Sequence, residues 1–110
     1  MKFIKASVRD RTGTGGKGYI MTTFNQLCEK FGLPNDCTKD GGAWYSGDGK
    51  VRYEWAFKSV DGKVIVTIYD YKEKCPPEEI KEWRVGGKGN TEKYKKFFSD
   101  FYSTDQLVLR

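Results

Sequence analysis

The chain has 110 residues, room for one hydrophobic core and not for two independent ones. Twenty Lys and Arg against fifteen Asp and Glu leave a formal charge of +5, a mild basic excess that favours anionic partners without requiring one. Histidine is absent, which rules out Ser-His-Asp and Cys-His catalysis. The three cysteines match no short ligand spacing, so neither structural zinc nor a disulfide scaffold is expected.

Met1–Val8 alternates imperfectly and reads as a first strand. A glycine-rich basic loop, RDRTGTGGKG, follows over residues 9–18. Thr23 and Gln26 then fit a helix capping box. Phe24, Leu27, Cys28 and Phe31 recur at helical spacing, and Gly32 and Pro34 stop the helix. On that apolar face Cys28 reads as a core residue rather than a nucleophile. Residues 35–49 form a loop-rich stretch around Trp44 and Tyr45, a pair suited to anchoring a partner protein.

The most strongly patterned stretch is 50–72. Val51, Tyr53, Trp55 and Phe57 alternate with Arg52, Glu54, Ala56 and Lys58. Asp61-Gly62 supplies a tight turn, and Val64, Val66 and Ile68 share one face of the returning arm. This hairpin is expected at the centre of the fold, with Glu54 ion-paired across strands on the solvent side. Asp70, flanked by Tyr69 and Tyr71, is open to the same reading.

After Cys75-Pro76-Pro77 breaks the pairing, residues 82–86 read as a further strand, ending at the glycines of a second GGKG. Asn90 or Thr91 caps a second helix bearing Tyr94, Phe97, Phe98 and Phe101 on one face. The expected architecture is α+β, in a single domain over 1–110, with 1–20 as a strand and Gly-rich loop extension. An antiparallel sheet of about four strands built on the central hairpin carries both amphipathic helices on one face.

Two segments invite an anion. Gly15, Gly16 and Lys17, and then Arg84, Gly87, Lys88 and Gly89, combine uncovered backbone amides with full positive charges. The second set is expected to turn sharply after Val85 and present its amides at a helix start. Neither segment is a Walker A motif. A modest nucleic-acid surface is the related alternative, through Arg52-Tyr53, Trp44-Tyr45 and Trp83-Arg84. No enzyme, cofactor or metal site is expected.

The order Phe31-Gly32-x-Pro34, Glu54-Trp55, Asp61-Gly62-x-Val64, then TIYDYK over 67–72 and Trp83-x-x-Gly86-Gly87, resembles a family of small bacteriophage proteins. Its members typically lack an assigned activity. Where the family pattern carries a histidine after the tryptophan, this chain carries Arg84. The resemblance implies a viral accessory protein made in the bacterial cytoplasm. It would act stoichiometrically on a host protein, a component of antiviral defence being the leading candidate. The alternatives are capture of a nucleotide-like anion or of nucleic acid. No apolar run approaches membrane length, so no membrane partner is expected, and exposed edge strands leave homo-oligomerisation open.

Overall fold

The computed structural model describes residues 3–6, 15–34, 36–37, 53–71, 75–103 and 105–109. Strands β1 (Phe3–Lys5), β2 (Gly15–Met21), β3 (Asp36–Cys37), β4 (Tyr53–Ser59), β5 (Ile65–Tyr69), β6 (Glu82–Lys88) and β7 (Leu107–Leu109) join in one sheet. Helix α1 covers Phe24–Phe31 and α2 covers Thr91–Ser99. The sheet runs β1–β4–β5–β6–β2–β7, antiparallel at each junction, while the two-residue β3 also pairs with β4. The α+β class thus stands, on a path of six strands where about four were expected.

The central hairpin forms as its alternation requires. Trp55 faces Ile68 and Phe57 faces Val66 across β4 and β5. The turn is fixed locally: Gly62 takes φ 76°, and the Asp61 carboxylate accepts from the Ser59 hydroxyl and the Lys63 amide. Those two hydrogen bonds, the Ser59 one foremost, hold the Asp61 carboxyl below its usual pKa.

Both helices cover the face that carries Trp55. Thr23 caps α1 by accepting from the Gln26 amide, and Gly32 closes it at φ 82°. Asn90 caps α2 by accepting from the Glu92 amide at 2.7 Å. Phe24 meets Trp55 and Trp83, while Phe31 and Phe97 both meet Phe57. The indole N–H groups do not go unpaired: Trp55 donates to the Gly32 carbonyl and Trp83 to that of Ile80.

Three expectations change. First, Gly15–Gly18, read as loop, is strand, because Gly15, Gly16 and Gly18 pair with β6, and Gly18 pairs with β7 as well. Second, β6 does not stop at Val85 but runs to Lys88, since Gly86 and Gly87 have strand partners on either side. Third, the face of the hairpin opposite the helices is not a solvent face. Ala56, Ile65 and Thr67 are buried there, and Glu54 is only 5% exposed. Asp70 is likewise buried, accepting from the Tyr53 amide at 2.9 Å.

Candidate functional site

The two GGKG segments, 71 residues apart in the chain, lie side by side. Gly15 is opposite Gly87 and Gly16 opposite Gly86; Lys17 then bulges, and Gly18 resumes opposite Val85. The pairing explains the glycines at 86 and 87, whereas a Cβ on Gly15 or Gly16 would meet nothing within 4 Å. A Cβ on Gly87, whose φ is 140°, would come within 1.9 Å of the Ile65 carbonyl oxygen. A Cβ on Gly86 would lie 2.9 Å from the Thr67 hydroxyl, 3.0 Å from the Gly15 carbonyl and 3.1 Å from the Tyr69 ring. Paired on both edges, this part of β6 commits its amides to the sheet. The start of α2 is already taken by the Asn90 side chain.

What the glycines create instead is a gap in the side-chain layer on the face away from the helices. Strand alternation brings Glu54, Tyr69 and Arg84 into one cross-strand row, and Ala56, Thr67, Gly86 and Gly16 into the next. Over the second row opens a cavity of about 190 Å³, floored by Gly15, Gly16 and Gly86. Its walls are Glu54, Thr67, Tyr69 and Tyr71. Burial, reinforced by the negative charge of Glu54, raises the Tyr69 pKa, against a smaller opposing effect of Arg84. Tyr69 is therefore a neutral phenol at physiological pH, able to donate as well as accept.

Of the residues singled out in the sequence, Gly15 and Gly16 form the cavity floor. Arg84 stands next to wall residue Tyr69 in the register, and Lys17 sits at the bulge. Gly87 is held opposite Gly15, while Lys88 pairs with Ile65 of β5 and Gly89 lies beyond the strand. Trp44, Tyr45 and Arg52 lie outside the described residues. Trp83 is completely buried, so the Trp83-Arg84 pair presents no indole for stacking on a base. Sequence reasoning did not see Glu54, Thr67, Tyr69 and Tyr71 as walls of one site. The usable signal was Gly86, which a strand tolerates poorly unless something must approach its backbone.

A second concavity lies on the helix side. Phe3, Phe31, Phe57, Phe97 and Phe101 line a cleft of about 430 Å³ between β1, α1 and the end of α2. Lys30, Lys93 and Lys96 stand around it, together with Ser99 and Asp100.

Among the described residues, no group of three or more His, Cys, Asp or Glu is placed to hold a metal ion. None of their helices is long and apolar enough to cross a membrane. No protein-family model, curated protein or solved structure matches the chain.

Proposed function

We propose that this is a non-enzymatic binding protein that captures a nucleotide-like ligand in the glycine-floored cavity. In the phage setting that the sequence resemblance implies, such capture in the bacterial cytoplasm would silence a host factor, antiviral defence being the target class. The observation that carries the reading is the cavity. It joins a bare backbone floor to a buried carboxylate, and it lies beside a guanidinium.

Each part has a role that follows from its chemistry. Gly15, Gly16 and Gly86 let a flat ring approach the sheet without meeting a side chain. Glu54, an acceptor when ionised, reads an edge that offers N–H donors, as an amino-substituted base does. Thr67 and the neutral Tyr69 both donate and accept, and the Tyr71 ring, 38% exposed, borders the opening. Arg84, and Lys17 at the bulge, answer the charge of a phosphate.

Calorimetric titration against a panel of mono-, di- and cyclic nucleotides tests this directly. One or more nucleotides are expected to bind, and Glu54→Gln, which keeps shape and removes charge, is expected to weaken that binding at least tenfold. The basis is that a charge-assisted hydrogen bond contributes about 1.5–3 kcal/mol. Equal affinity in the parent and in Glu54→Gln would remove the assigned reader, and a wholly silent panel would remove the reading.

A further inference from the structure

We propose that the phenylalanine cleft between the two helices is a second binding site, one that takes an amphiphilic anion, an apolar chain or ring bearing a carboxylate or phosphate head. The site is distinct from the glycine-floored cavity, which lies on the opposite face of the sheet.

The cleft has the makings of a small-molecule site. At about 430 Å³ it falls within the range of ligand pockets, and its apolar lining is aromatic. Phe31 is the hub, with ring centroids 5.3 Å from Phe57, 5.8 Å from Phe97 and 4.7 Å from Phe101. Phe101 nevertheless stays 36% exposed, so this wall is not closed over by the protein's own side chains. An apolar body entering here would bury phenyl surface that is otherwise wet.

The charge around the cleft selects the head group. Lys93 and Lys96 stand three residues apart on the same side of α2, a like-charge spacing that costs helix stability. Lys95, on the same helix, has Glu92 as an ion-pair partner at 3.5 Å. Among the described residues no ion pair takes up Lys93, Lys96 or Lys30. Lys30 rests its ammonium 5.0 Å from the Tyr102 ring centroid. Asp100, the Asp61 carboxylate that feels Lys93, and the carbonyl ends of both helices temper this field, leaving a net positive rim of three lysines against two carboxylates. One anionic head accepting from Lys93 and Lys96 would relieve their repulsion while its apolar body fills the phenylalanine wall.

The test uses dodecanoate, dodecanol and dodecylammonium as probes, below their aggregation limits, with affinity read by calorimetry and location by backbone-amide NMR shifts. Dodecanoate is expected to perturb Phe31, Phe97 and Phe101 and to bind at least tenfold tighter than dodecanol, with dodecylammonium weakest. Lys93→Glu/Lys96→Glu is expected to abolish the preference for dodecanoate over dodecanol. Both lysines are exposed, so that variant should still fold, with a somewhat lowered melting temperature because Lys96→Glu sets a carboxylate at the carbonyl end of α2. Lys93→Gln/Lys96→Gln provides a milder version. Phosphatidylglycerol vesicles are the second arm: retention of the parent, lost in the double variant, would locate the head group on a bilayer rather than on a free amphiphile. Equal binding of dodecanol and dodecanoate, an unchanged preference in the double variant, or shifts confined to other parts of the chain would each overturn the proposal.

Discussion

Tyr94 is fully buried beneath α2, and its hydroxyl finds no hydrogen-bond partner. Burial alone pushes its pKa up to about 12. The hydroxyl lies 2.9 Å from where a Cβ on Gly87 would stand, so β6 and α2 approach closely only because residue 87 has no side chain. Removing an unpartnered buried hydroxyl removes a desolvation penalty, so Tyr94→Phe is expected to leave stability unchanged or raise it by about 1 kcal/mol. The sign of the alkaline effect follows from the raised pKa. Between pH 10 and 12 the folded state holds a proton that the unfolded chain releases, so stability falls as pH rises through that window. Two pKa units correspond to on the order of 2–3 kcal/mol, and the parent should lose that much more than Tyr94→Phe across the window, as read by urea denaturation. A variant destabilised by more than 1 kcal/mol at pH 7 would mean the hydroxyl is satisfied. Gly87→Ala is the severe change at this scale. It forces an alanine to φ 140° against the Ile65 carbonyl, and a loss of about 3 kcal/mol or more is expected in the same measurement.

Among the elements, those with local signals were legible in the chain. The central hairpin followed from alternation and from Asp61-Gly62, and α1 from Thr23, its apolar spacing and Gly32. Helix α2 followed from Asn90, whose replacement by alanine should cost about 1 kcal/mol, roughly 5 °C in thermal unfolding. An unchanged melting temperature would show that packing alone holds the helix start. The glycine strands were not legible, for a physical reason. Glycine disfavours strands locally, and at 15–18 and 86–87 that preference is overridden by a partner strand far away in the chain. The same blindness hid the candidate site. Glu54 looked like a residue of a solvent face because alternation assigns faces without saying what covers them. Its proximity to Tyr71 and to Gly15–Gly16 depends on which strands meet, and only the register supplies that.

Across the whole molecule, stability should be graded along the sheet. Strands β4, β5 and β6 are paired on both edges, while β1, β3 and β7 have two or three residues each. Native-state hydrogen exchange should find the amides of Val66, Ile68 and Val85 opening only with global unfolding, and those of Leu107–Leu109 opening far more readily. Uniform protection across all strands would show a single cooperative unit with no frayed edge.

The position of β2 also has a consequence for how the protein is made. Its neighbours in the sheet are β6 and β7, yet β2 ends at Met21 and β6 does not begin until Glu82. On a ribosome adding about 5–20 residues per second, the glycine-rich strand therefore spends several seconds outside the exit tunnel with neither edge satisfied. The hairpin of β4 and β5 can form in that interval, but half the sheet cannot. Chains truncated before residue 82 should accordingly be cut by protease within 15–21, where β2 has no partner strand. Protection of β2 should arrive in one step once the chain includes β6, which makes strands made later than β2 the ones that complete its pairing and the floor of the cavity.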